Sequence, residues 1–182
     1  LGKPLENYQD YVFYPFSPPN PRLVDTFQQD LTFGLQRVIG VNPVVLRAVT
    51  RQNPLPAALP ESEIRRIFAE QIIEVDYAAA LEQKRVYVLD YASLEILQQN
   101  PGSIDGGRKQ YVTTPIVVLF LQSDGLLQPL AIQLYQDARP DNPVYTPKDG
   151  NLWLAAKMFA QVADGNHHIL YTHATRIHYV ME

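Results

Sequence analysis

Apolar residues recur along this chain in two periods, and the changes of period mark out its elements. From about Asp25 the positions Phe27, Leu31, Leu35, Val38 and Ile39 fall three to four apart, which predicts a helix that Gly40 and Pro43 end. Pro60 and the acidic residues after it open a second helix, with Ile64, Ile67, Phe68 and Ile72 on one face. Arg85 to Asp90 is rich in β-branched and aromatic residues and predicts a short strand, with a short helix following over 91–99. Ile116 to Gln122 and Leu127 to Tyr135 flank Ser123, Asp124 and Gly125, the pattern of a β-hairpin with Asp-Gly at its bend. A polar stretch over 136–149 leads to a long helix from about Asn151 to the end. Residues 1–22, with prolines among Tyr8, Tyr11, Phe13, Tyr14 and Phe16, read as an extended arm laid on a surface. Residues 51–60 read as a proline-rich connector and 100–109 as a glycine-containing flexible loop. The expected class is mainly α with a small antiparallel sheet.

Composition narrows the chemistry. A chain of 182 residues, 46% hydrophobic and 19% charged, is a folded globular unit of one modest domain. The absence of cysteine removes disulfides, thiolate metal sites and cysteine nucleophiles. Any metal must be held by nitrogen and oxygen, which favours iron, zinc or manganese. A net charge of −4 without a basic run gives no support to nucleic-acid binding. No apolar run approaches the roughly 20 residues that span a bilayer. The start, from Leu1, lacks the apolar core of a signal peptide and an initiator Met, so a processed or excised start and a cytoplasmic location are expected.

All four histidines fall within residues 167–178, and His168, His173 and His178 recur every five residues. Histidines in helices are commonly surface or hydrogen-bonded core residues. Here the apolar neighbours Ile169, Leu170, Ile177 and Val180 predict partial burial, and a buried imidazole needs a partner, which a metal can supply. A step of five on an ideal α-helix turns successive side chains roughly 140° apart. The imidazoles converge on one ion only if the helix is widened by i→i+5 hydrogen bonding, expected between about Asp164 and His178.

The surroundings of these histidines resemble the lipoxygenase family. Trp153 and Lys157 sit in a Trp-x-x-Ala-Lys pattern, Asp164 lies four before His168, and His-x4-His-x4-His closes near Glu182. Upstream, Asp30, Phe33, Gly34, Gln36, Gly40, Asn42 and Pro43 resemble the family's Asp-x-x-Phe-Gly-x-Gln…Gly-x-Asn-Pro helix and turn. The stretches 115–120, 127–134 and 145–149 resemble its hairpin and the segment before the histidine helix.

The resemblance implies a lipoxygenase-like helical catalytic domain with a mononuclear non-haem iron cycling between ferrous and ferric states. It implies removal of a hydrogen from the bis-allylic methylene of a polyunsaturated fatty acid and addition of O2 to give a hydroperoxide. His173 and His178 match the family's iron ligands, and His168 matches a position that supports the site without binding metal. His167 is an extra histidine, read as exposed or as a local hydrogen-bond donor. Three departures bear on the substrate pocket: Gly165 stands where an aromatic often sets the pocket floor, Ile169 replaces a Gln or Glu, and Ala174 replaces a Leu or Trp.

The family draws its remaining iron ligands from a later helix and a C-terminal carboxylate. Residues 1–182 are therefore expected to be the N-terminal portion of the catalytic domain, without the family's β-barrel domain and inactive without the remainder. The expected partners are a polyunsaturated fatty acid, O2, the rest of the domain and a peripheral membrane contact. The competing reading is a helical zinc-binding or structural module without dioxygenase activity.

Overall fold

The computed structural model describes residues 23–72, 74–99, 103–104, 108–109 and 111–179. Helix α1 (Leu23–Thr26) is followed by a turn and α2 (Asp30–Ile39), then β1 (Arg47–Ala48), α3 (Glu61–Gln71) and α4 (Tyr77–Glu82). Strand β2 (Val86–Asp90) leads to α5 (Glu95–Gln99) and the short pair β3 (Ser103–Ile104) and β4 (Arg108–Lys109). The hairpin β5 (Ile116–Leu121) and β6 (Leu127–Gln133), then β7 (Val144–Tyr145), precede α6 (Asn151–His167). A π-wound segment, His168–His178, continues α6 directly. The architecture is mainly helical with a small antiparallel sheet, the class expected from the sequence.

The sheet runs β1-β2-β5-β6-β7, every neighbouring pair antiparallel. Alternation along β5 divides the core. Ile116, Val118 and Phe120 face α3 and α4 and pack with Ile64, Ile67, Phe68 and Tyr77. Val117 and Leu119 face α2 and α6 and pack with Phe33, Trp153, Ala156, Ala160 and Ala163. Both faces being covered, β5 reads as a continuous apolar run. Each buried side chain of this size contributes about 2–3 kcal/mol relative to exposure. At the hairpin bend Gly125 takes a positive φ of 84°, and the Asp124 carboxylate accepts from the Leu126 N–H. Pro129 sits where the β5–β6 register slips, so its missing N–H breaks no regular ladder.

Several expectations need correction. The first helix does not run on from Asp25: it breaks after Thr26 and restarts at Asp30. Its predicted apolar face is the exposed one, for Phe27, Leu31, Leu35, Val38 and Ile39 are each 46–72% exposed, whereas Phe33, Gly34 and Arg37 are buried. The reason is Gly34. A Cβ there would lie 1.7 Å from the Leu127 carbonyl oxygen, so α2 approaches β6 on its glycine side whatever the apolar count elsewhere. The 51–60 connector and the hairpin fall where expected. Helix α4, not expected from periodicity, is capped by the Asp76 carboxylate, which accepts from the Ala79 N–H at 2.8 Å. The 100–109 loop contains the β3–β4 pair. The arm over 1–22 and Glu182 lie outside the described residues.

Candidate metal centre

Small residues set α6 against the sheet. Ala156, Ala160 and Ala163 form a stripe three to four apart that lies on Leu89, Val117 and Ile132. Helix α2 runs alongside α6 and is pinned to it at both ends. At one end the Asp30 carboxylate accepts from the Trp153 indole N–H at 2.8 Å and from the Lys157 ammonium at 2.6 Å. At the other end the buried Arg37 guanidinium pairs with the Asp164 carboxylate at 3.3 Å and donates to Gln161.

Asp164 is the centre of a buried polar cluster. Its Oδ1 accepts from the Tyr91 hydroxyl at 2.8 Å and from the Asn42 amide at 3.1 Å. Asn42 Nδ2 also donates to the Asp164 backbone carbonyl at 2.6 Å, and Asn42 Oδ1 accepts from the Thr172 hydroxyl at 2.9 Å. Burial first, and the Asp164 charge second, push the Tyr91 phenol far above its ordinary range, so it stays a donor. Sequence reasoning placed Asn42 and Asp164 in motifs without assigning them contacts, and it missed Arg37, Tyr91 and Thr172. The signal for Arg37 was a lone cation on the flank of an otherwise apolar helix.

Beyond this cluster the helix changes its winding. The expected i→i+5 pattern occupies His168–His178, and the Tyr179 N–H returns to the Ala174 carbonyl at 3.1 Å. The Thr175 hydroxyl donates to the Tyr171 carbonyl, and the Tyr171 hydroxyl donates to the Ser93 carbonyl at 2.8 Å. The winding brings His173 and His178 together: their Nε2 atoms stand 2.9 Å apart, with ring centroids 4.7 Å apart. The His168 ring lies 5.6 Å from that of His173, with its Nδ1 buried and without a hydrogen-bond partner among the described residues. His167 is half-buried rather than exposed, and it donates no hydrogen bond among the described residues. Its ring stacks on Tyr171 at 5.0 Å and meets the edge of Tyr91 at 5.9 Å, and burial lowers its pKa.

The segment is partly buried, as expected, with His167, His168, Tyr171, Thr172 and His173 half-buried, but Ile169 is 59% exposed and Leu170 38%. Together with Leu152, Met158, Phe159 and Val162 they leave one side of α6 uncovered by the described residues. Of the pocket candidates, Gly165 and Ala174 are half-buried and Ile169 exposed. A Cβ on Gly165 would meet nothing within 4 Å. The described residues do not close a pocket wall around these positions.

A family model described as Lipoxygenase matches residues 6–182, and the chain belongs to the lipoxygenase family. It is 35% identical over 153 residues to the Homo sapiens hydroperoxide isomerase ALOXE3, covering 80% of this chain and 20% of that protein. It is 33% identical over 173 residues to the Pseudomonas aeruginosa linoleate 9/13-lipoxygenase, covering 89% of this chain and 24% of that one. The chain thus spans about a fifth to a quarter of these relatives. Among solved structures, a calcium-dependent 11R-lipoxygenase superposes with a TM-score of 0.72 at 29% identity, over 86% of this chain and 22% of that one. A manganese lipoxygenase shares the fold at a TM-score of 0.61 and 23% identity, over 80% of this chain and 23% of that one.

The family uses a non-haem metal, iron or manganese. The His173–His178 pair fits such an ion. Two ε-nitrogens 2.9 Å apart cannot both remain bare lone pairs, and a shared proton or a cation must lie between them. Nitrogens about 2.1 Å from one ion and at right angles to each other stand roughly 3 Å apart, so the spacing suits adjacent ligands. Imidazole donors suit iron, and zinc as well. Among the described residues no group of three or more His, Asp or Glu side chains gathers to hold an ion, so they offer two donors and not a complete set.

Proposed function

We propose that the protein carrying this chain is a fatty-acid dioxygenase, and that His173 and His178 are two of the ligands of its mononuclear non-haem iron. The observation that carries the reading is the 2.9 Å approach of the two Nε2 atoms on a π-wound helix end, in a chain of the lipoxygenase family. When bound, the metal supplies the one-electron redox step that removes a bis-allylic hydrogen from a polyunsaturated fatty acid. This chain's residues then have two tasks. His173 and His178 hold the ion, and the cluster around Asp164 holds the helix that carries them. His168, its ring 5.6 Å from that of His173, supports the pair without ligating. In this reading Gly165 and Ala174 leave room for an acyl chain, and Ile169 brings no hydrogen-bonding side chain to the pocket.

Residues 1–182 are the N-terminal portion of the catalytic domain in this reading, consistent with the share of its relatives that the chain spans. The remaining metal ligands and the cover for the exposed side of α6 come from the rest of that domain. The complete protein, given linoleate and O2, should consume oxygen and form conjugated diene. Residues 1–182 alone should aggregate and form none, and adding the remainder should restore both. A second reading has a specific support in the hydroperoxide isomerase relative. Consumption of a fatty-acid hydroperoxide, with no oxygen uptake on linoleate, would favour it over dioxygenation.

A further inference from the structure

We propose that Asn42 is a positioning residue for His173, one carboxamide that holds the step from α to π winding; the proposal rests on the reading of His173 and His178 as metal ligands. Asn42 is 4% exposed and stands in the turn after α2. Its Nδ2 donates to the Asp164 carbonyl at 2.6 Å and to the Asp164 carboxylate at 3.1 Å. Its Oδ1 accepts from the Thr172 hydroxyl at 2.9 Å. Asp164 belongs to the last turn of α6, and its carbonyl also accepts from the His168 N–H, where the regular winding ends. Thr172 belongs to the π segment and immediately precedes His173. The single amide therefore spans the junction, with one end on each type of winding.

A carboxamide suits this place, since its NH2 donates twice on one side while its oxygen accepts on the other. The Asp164 side needs a donor, because it presents a carbonyl and a carboxylate, and the Thr172 side needs an acceptor. The reverse amide orientation would set the Asn42 oxygen against two oxygens, so the network itself assigns the orientation. An Asp at position 42 would face Asp164 with like charge, and a Leu would leave both sides unpaired in a buried place. The consequence reaches the site through geometry. In regular α winding His173 and His178 would point roughly 140° apart. Their 2.9 Å approach exists only while the π winding does, and the Thr172–Asn42 bond fixes its first turn beside His173.

The test uses the complete metal-loaded protein and measures the rate at which a chelator removes the metal, with the melting temperature measured on the same samples. Thr172→Val keeps shape and deletes the hydroxyl, Thr172→Ser restores it, and His173→Ala is the reference for losing a ligand. Thr172→Val should release metal roughly 10-fold faster than the parent. Thr172→Ser should match the parent, and all three should melt within a few degrees of one another. Asn42→Ala should also release metal faster, and adding Thr172→Val to it should change the rate no further, because the two residues share one bond. Unchanged release from Thr172→Val, or equal release from the Val and Ser variants, overturns the proposal while His173→Ala still loses its metal. If His173→Ala keeps its metal, the ligand reading and this proposal fall together.

Discussion

Asp30 and Lys157 meet at 2.6 Å in the seam between α2 and α6, the lysine side chain only 5% exposed and the aspartate 33%. The same carboxylate oxygen accepts from the Trp153 indole, and the ammonium also donates to the Gln28 carbonyl at 2.6 Å. One charge thus answers a buried cation and fixes one end of the helix pair that carries the histidines. Asp30→Ala strands the ammonium and should cost about 3 kcal/mol, whereas Lys157→Met removes the cation itself and should cost less. Urea unfolding of the complete protein and both variants measures this. Equal losses from the two would show that the pair does not hold the seam.

Gly34 controls how closely α2 lies on the sheet. A methyl at this position would sit 1.7 Å from the Leu127 carbonyl oxygen, and backbone cannot rotate away as a side chain can. Gly34→Ala should therefore destabilise by about 3 kcal/mol despite alanine's better helix propensity. A denaturation midpoint at or above that of the parent would mean that α2 can shift off β6 without cost.

Tyr77 is 5% exposed, and its hydroxyl has no hydrogen-bond partner among the described residues. Burial, with Glu61 nearby and Arg65 opposing, pushes its phenol from the ordinary 10.0 up to about 12. A folded pKa above the unfolded one contributes stability that is complete below about pH 10 and is lost as pH rises towards 12. Tyr77→Phe should leave stability at pH 7 unchanged or raised by up to about 1 kcal/mol. The variant should also show a shallower loss between pH 10 and 12, read from melting temperature against pH. A steeper alkaline loss in the variant would contradict the assignment.

The sequence disclosed the elements whose signal is local. The Asp-Gly bend, the two strands it joins and the Ile64, Ile67, Phe68 face all form where their local pattern predicts. So does the π winding, since five-residue spacing of imidazoles has only that way to converge. The orientation of α2 was hidden because a close backbone approach at Gly34 outweighs five apolar side chains, a tertiary contact that periodicity does not record. The cluster around Asp164 was hidden for a related reason. Its members come from α2, the turn after it, the residue following β2 and the π segment, and only the fold brings them together. The resemblance to lipoxygenases pointed to Asp30, Asn42, Trp153, Lys157 and Asp164, but their purpose becomes visible only as pairs.

The most direct measurement is the metal content of the purified complete protein beside its His173→Ala and His178→Ala variants. The account predicts close to one equivalent of iron in the parent, and loss of that iron from both variants with the fold retained. Stoichiometric zinc in the parent, or iron kept by either variant, would contradict it.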